Sequence, residues 1–423
     1  MNTDAVASEW RRWPLVLSAA AGFSFFSVMT TGMGAFMDPL AREFGWSRTV
    51  LSLGLPIAGA ISVLLSPFVG AIIDRHGSRK LAIPGLILLT GITAAFALVN
   101  GSVTQWVALW VIYAFVSLLV TMNVWSAAVV GAFTKARGLA LGLTLAGTAA
   151  AQATTPILAV TLIDAFGWRT AFVAIGLGWG GVALLLCYLF FHEPIRRPAA
   201  ALEPGKVADD LPGLSIAQAW RDPGLWRIAV STLILMILTI GLLIHQIPIL
   251  TEAGVSRSNA ALLAGLGGLA GIVGKLVTGA LMDRYRANWV GGLTLGATAL
   301  AFGLLLDGVR TPVLIVVAML VNGYAAGTKV QICSYLTSRY AGLRNFGAIF
   351  GFMGSLVALG SALGPLIAGM VYDATGGYTP FLVVGALGCL FAGFLILTLP
   401  RYPEWSGWAP SPGPVPARPA TAT

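Results

Sequence analysis

Charge is scarce in this chain. Asp, Glu, Lys and Arg make up 10% of its 423 residues, where a soluble domain carries about 25%, so an ordinary solvated surface is excluded. A formal net charge of +9 invites a nucleic-acid reading. Yet no run of Lys and Arg exceeds two residues, and a phosphate-tracking surface needs its cations clustered. Cysteine is confined to Cys187, Cys333 and Cys389. All three sit in apolar stretches, and an odd count without ligand spacing excludes a disulfide framework and a zinc site. No nucleophile elbow, metal cluster or cofactor loop occurs, so neither an enzyme nor a cofactor is expected.

What is abundant is apolar length. Hydrophobic residues make up 57% of the chain and glycine numbers 52, a level that membrane helices tolerate. Long apolar stretches recur, each able to cross a hydrocarbon core of about 30 Å. They fall near 13–37, 48–73, 81–99, 103–132, 138–163 and 168–191, then near 225–250, 258–282, 288–306, 311–334, 345–371 and 377–399. The expected fold is all-α and polytopic: twelve transmembrane helices in two six-helix bundles, 13–191 and 225–399. Residues 1–12 form a cytoplasmic N-terminus, 192–224 ("EPGKVADD" among them) a polar cytoplasmic linker, and Pro/Ala-rich 400–423 a disordered cytoplasmic tail. The N-terminus carries acids before a span too long for a cleaved signal, so the first span is expected to be retained.

Lys and Arg favour cytoplasmic loops. With both termini in the cytoplasm, 18 of the 25 basic residues lie on that side, and five (Arg42, Arg48, Arg169, Arg257 and Arg310) lie outside. Lys275 and Lys329 remain within spans, while none of the 16 acids falls in a span so drawn. The expected location is a cell membrane, inner or plasma, crossed many times.

The halves repeat at a constant offset of 209 residues. "PLAREFGWSR" (39–48) aligns with "PILTEAGVSR" (248–257), and "GAIIDRHGSRK" (70–80) with the segment opening "GALMDRYR" (279–286). Pro156, Asp164, Gly167, Phe172 and Gly176 pair with Pro365, Asp373, Gly376, Phe381 and Gly385. Chance similarity between apolar helices does not keep register through loops. Two parallel six-span repeats are thus expected, with a substrate site near the midplane between them.

"GAIIDRHGSRK" resembles the signature that major facilitator proteins carry between their second and third spans, with Gly70, Asp74, Arg75, Gly77, Arg79 and Lys80 in the required places. The second copy keeps Gly279, Asp283 and Arg284 but has Arg286 at the second glycine. "AFTKARGLALGLTLAG" (132–147) is similar to the fifth-span signature of the monocarboxylate and oxalate/formate branch, with Lys135 and Arg137 as its cations. The resemblance covers nearly the whole chain and implies a secondary transporter working by alternating access. It also implies that the loop motif is a gate, Asp74 contacting the neighbouring bundle and a nearby arginine to hold the cytoplasmic side shut. The bare alternative is that these charges only enforce topology.

Lys275 is the one charge between Ala260 and Met282. Such a position costs about 2.5–3.5 kcal/mol on insertion scales and usually faces a cavity. Its face carries Gly267, Gly268, Gly271, Thr278 and Gly279, and the opposite face Leu262, Leu266, Leu269, Val273 and Leu276, so Lys275 is expected to point inwards as the deepest cation. Snorkelling to the headgroups is the alternative. A phosphate-loop reading of "GIVGK" fails, since Leu269 holds the first glycine position and Leu276 the Ser/Thr position.

The resemblance implies more. In monocarboxylate porters the eighth span carries an arginine that binds the substrate carboxylate, with an aspartate four residues earlier. Lys275 takes the arginine position and Gly271 the aspartate position, a double departure. Lysine lacks the bidentate fork, but an unpaired ammonium is satisfied by a bound anion.

Lys329 shares a face with Asn322, Ala325, Ala326 and Cys333 and reads equally as a substrate contact or a topology residue. Ser24, Ser27 and Thr31, then Asn123, then Thr148, Gln152 and Thr155 give polar positions on the first, fourth and fifth spans. Thr31, Asn123 and Gln152 join the candidate site, with helix packing as the competing role of each. His245 near the outer end of the seventh span is a proton carrier or an interface residue.

The expected function is transport of a small organic anion, foremost a monocarboxylate, with a proton or counter-anion. The chain is expected to act as a monomer with the lipid bilayer as its surroundings. A multidrug or metabolite exporter is the alternative; exporters of cationic drugs tend to place a carboxylate in the cavity, and this one has none. A non-transporting sensor would carry a soluble domain, which a 33-residue linker does not supply.

Overall fold

The computed structural model describes residues 12–133, 137–192, 213–342, 344–400 and 403. The first half holds α1 (Trp13–Phe44), a short turn of helix Arg48–Ser52 leading into α2 (Gly54–His76), α3 (Arg79–Ala95), α4 (Val103–Ser117), α5 (Met122–Ala132), α6 (Arg137–Ala174) and α7 (Gly180–Phe190). The second holds α8 (Pro223–Glu252), α9 (Arg257–Arg284), α10 (Ala287–Gly303), α11 (Pro312–Ala341), α12 (Phe346–Thr375) and α13 (Thr379–Leu397).

Ten stretches of the described residues are long and apolar enough to cross a membrane. One of them, 142–190, is two spans joined where Gly167 takes φ 80 and ψ 162. Adding α10, whose 17 residues suffice for a bilayer, gives the twelve expected crossings. Arg227 at the start of α8 donates to the Thr398 carbonyl after α13, and Arg12 before α1 to that of Ala132 ending α5. These ends share one face, called terminal here; the opposite face is distal.

Helix ends follow caps rather than apolar content. Gly45 (φ 67) and Gly376 (φ 75) end α1 and α12 in the left-handed conformation that glycine adopts freely. Both helices therefore run past their apolar stretches. Asp38 and Asp373 lie on helix, and so does Asp164 on α6. These three acids occupy turns at the distal helix ends, beyond the apolar spans as drawn, and Asp74 and Asp283 occupy the last turns of α2 and α9.

The repeat is visible in the turns. Ser47 and Ser256, one repeat apart, each cap the following helix by accepting from the backbone three residues on, at 3.2 and 3.3 Å. Gly45 and Gly254 both have positive φ before them. The degenerate position breaks the pattern: Gly77 turns with φ 84, whereas Arg286 sits at φ −63.

Inside a bilayer the hydrophobic effect does not draw helices together, so close approach of small residues does. A Cβ at Gly323 of α11 would lie 2.0 Å from the Gly267 carbonyl oxygen of α9, and one at Gly327 equally close to that of Gly271. Tyr324 and Thr278 share a hydrogen bond at 2.8 Å across the same pair. We expect Gly323→Ala to lower the thermal unfolding temperature in detergent by the equivalent of roughly 1–3 kcal/mol of overpacking. Gly91→Ala in the interior of α3, with nothing among the described residues within 4 Å of the added carbon, should not lower it and gains the helix preference of alanine, about 0.5–1 kcal/mol.

Candidate functional site

The halves meet by backbone at mid-height. A Cβ on Gly268 of α9 would lie 2.6 Å from the Ala153 amide nitrogen of α6, and one on Gly34 of α1 2.3 Å from the Ile244 carbonyl oxygen of α8. Two helical turns from Gly268 toward the terminal face stands Lys275. It is exposed, and among the described residues it has neither an ion pair nor a hydrogen bond. Its face is fixed by neighbours: Gly271 packs on Gly327, Gly274 on Tyr324 and Gly268 on Ala153, so the side chain leaves α9 between α6 and α11. The leucine face points away, Leu266, Leu269 and Val273 lining an open outer cleft with α10 and α11.

Burial of the two lysines reverses the expected order. Lys329 is only 7% exposed, and its ammonium donates to the Thr239 hydroxyl of α8, within a small apolar pocket that includes Ile228, Leu235, Ile332 and Cys333. The deeply buried cation is therefore Lys329, and Lys275 is the accessible one. The reason is the parallel α9–α11 packing, which turns Lys329 toward α8 and Lys275 toward the gap between halves.

Gly271 is buried, and a Cβ there would meet the Gly323 carbonyl oxygen at 3.1 Å. It is a helix-packing position rather than a ligand position, which corrects its place in the site. Thr31 is buried and bonds back to the Ser27 carbonyl at 3.0 Å, one turn from the Gly34 crossing. Gln152 is half-buried beside Ala153 and makes no hydrogen bond among the described residues. Asn123 lies on α5, but its side chain is outside the described part, as are those of Asp74, Arg75, Arg137 and Asp283; Lys135 lies outside the described residues. Of the gate motif, Gly70 lies within α2, Gly77 makes its turn, Arg79 donates to the Tyr188 carbonyl at 2.9 Å, and Lys80 and Arg284 are exposed.

His245 is fully buried. Its Nε2 lies 3.0 Å from the Pro365 carbonyl oxygen and 3.1 Å from the Ser52 hydroxyl, and its Nδ1 2.8 Å from the Tyr378 hydroxyl. A carbonyl only accepts, so Nε2 carries the hydrogen and Nδ1 accepts from the phenol. The ring bridges the halves instead of facing lipid, which removes the interface reading.

One residue was missed. Gln331 of α11 places its amide nitrogen 2.8 Å from where a Cβ of Gly279 would stand, one turn from Lys275 on the same face, and its buried Oε1 has no hydrogen-bond partner among the described residues. The available signal was a polar side chain in an apolar helix, which Gln331 shares with Asn322 and Lys329 of α11.

With this geometry in place, the profile of the Major Facilitator Superfamily matches residues 17–308 and again 233–421. The chain belongs to that superfamily and is a membrane transporter rather than an enzyme. It is similar to monocarboxylate transporter 13 of Bos taurus, 25% identical over 407 residues that cover 94% of this chain and 89% of the relative. Monocarboxylate transporter 11 of Homo sapiens is 28% identical over 425 residues, covering 92% and 83%. Among solved structures, the nucleoside transporter NupG superposes with a TM-score of 0.74 over 92% of this chain and 99% of that one at 14% identity; that likeness concerns the fold alone.

A buried ammonium carries a desolvation cost that a hydrophobe of similar size does not, whereas removing its hydroxyl partner loses a hydrogen bond to a charged group, about 1.5–3 kcal/mol. Thermal unfolding should therefore show Lys329→Met at or above the parent temperature and Thr239→Val clearly below it.

Proposed function

We propose that the transporter carries a small organic anion, foremost a monocarboxylate, with Lys275 as the charge partner of the carboxylate. The observation that carries this reading is an exposed ammonium without a counter-ion among the described residues, just beyond the crossing of the two halves. An arriving carboxylate supplies the missing charge, and the Gln331 amide one turn away offers N–H donors to its second oxygen. Gln152 and Thr31 supply polar contacts from the first half near the crossing. The names of the relatives support the substrate class, and a cell membrane with both termini in the cytoplasm follows from the Lys and Arg distribution.

In this reading the substrate enters from the terminal face, the anion neutralises Lys275, and the neutral pair crosses as the halves rock about the Gly34 and Gly268 contacts. The motif around Asp74 closes the terminal face in the opposite state. Lys329, held by Thr239 away from the gap, tunes the field without touching the substrate.

A charge-assisted hydrogen bond contributes about 1.5–3 kcal/mol, or roughly 10- to 150-fold in affinity. Equilibrium binding of a labelled monocarboxylate to purified protein should thus weaken by about that factor in Lys275→Ala. Lys275→Arg should retain part of it, and Lys329→Ala should change it less. Undiminished binding to Lys275→Ala would overturn the assignment. Separately, Asp74→Asn should slow uptake into proteoliposomes while membrane insertion stays normal; wild-type uptake would reduce the motif to a topology signal.

A further inference from the structure

Polar contacts between the halves gather on the distal face in two places that the 209-residue repeat relates. In the first, Arg257 at the start of α9 donates to Asp164 of α6 at 2.8 Å and to the Ala35 carbonyl of α1. In the second, Asp373 of α12 accepts from the backbone amides of Arg48 and Thr49 at 3.0 and 2.8 Å and from the Thr49 hydroxyl. Arg48 and Arg257 are one repeat apart, and so are Asp164 and Asp373. The same acid-ended helix meets the same arginine-started helix twice, across the two halves.

The two arms are not identical, and one residue explains why. Asp38 of α1 captures the Arg48 guanidinium within the first half. Its repeat counterpart is Ile247, so Arg257 finds no acid there in its own half and reaches across. Asp373, meeting an arginine already engaged, binds the exposed amides at the start of the helix instead. The Arg48 guanidinium also lies 5.4 Å from the centre of the Tyr372 ring, one residue before Asp373. His245, which joins Ser52 to Pro365 and Tyr378, adds a further bridge between the halves.

We propose that the two pairs form a distal latch, present once per repeat, that holds this face shut and must break for the carrier to open there. The Asp373 arm is the stronger. Both acids are exposed, so the difference lies in number and geometry: the Asp373 carboxylate accepts three hydrogen bonds where the amides at a helix start carry partial positive charge, while Asp164 accepts one, from Arg257, among the described residues. The latch does not depend on which substrate is carried.

Spin labels at Thr104→Cys and Val313→Cys test this. Both positions are exposed on the distal face, one in each half, and one repeat apart. The full chain would be used in lipid nanodiscs with Cys187, Cys333 and Cys389 replaced by Ala, and distances read by double electron–electron resonance. Asp373→Ala should shift the closed-to-open ratio by about tenfold or more towards longer distances, and Arg257→Ala by less. Thr49→Val, which removes only the hydroxyl arm, should shift it in the same direction and serves if Asp373→Ala fails to fold. Asp307→Ala is the control, because Asp307 bonds to Arg310 and Thr379 within its own half. Distributions identical to the parent in Asp373→Ala and Thr49→Val would overturn the latch, as would equal opening in Asp307→Ala.

Discussion

The site depends on how closely α9 approaches α11. With no hydrophobic drive between helices in lipid, the contact of Gly267 and Gly271 with Gly323 and Gly327 is what joins them. That contact decides the electrostatics beside it. The monocarboxylate pattern asks for an aspartate at position 271, but its first carbon would stand 3.1 Å from the Gly323 carbonyl oxygen, close enough that the neighbouring helix must shift to admit it. Tight packing here disfavours a resident carboxylate. Having the first, the chain leaves Lys275 without a counter-ion among the described residues, which is the ground on which an anion-binding role is proposed for it.

Much of the architecture was legible because loops, unlike apolar helices, carry distinctive residues. Gly45 and Gly254 could be paired in sequence, and both turn with positive φ; Ser47 and Ser256 could be paired, and both cap. Arg286 was recognised as a departure from glycine, and its backbone departs accordingly. What sequence spacing could not show was rotation. A helical face is defined relative to its own axis, and only the neighbours say which way it points. Hence Lys275 and Lys329, both lone lysines beside small residues, end with opposite burial. His245 looked peripheral by its height in the membrane, yet α8 turns it onto Pro365 and Ser52. Helix ends were misjudged for a related reason: hydropathy marks where lipid stops, whereas caps mark where the helix stops.

The distribution of acids links the two functional regions. On helices, Asp38, Asp164 and Asp373 sit at the distal ends, each bonded to arginine or to the start of a neighbouring helix. At the level of Lys275 the described helices offer amides and hydroxyls but no carboxylate. An acid placed there would neutralise the lysine in the empty carrier and, on the proposed reading, compete with the substrate anion. Placed at the distal face, the same acids cost little, because water can reach them when the contact opens. Opening there exchanges hydrogen bonds to protein for hydrogen bonds to water, a small net change, while neutralising Lys275 lowers the cost of moving a charge through a low-dielectric gap. On the proposed readings, breakable contacts at the rim and an unbalanced charge at the centre are complementary: the rim would keep the two states close in energy, and the centre would make the crossing depend on what is bound.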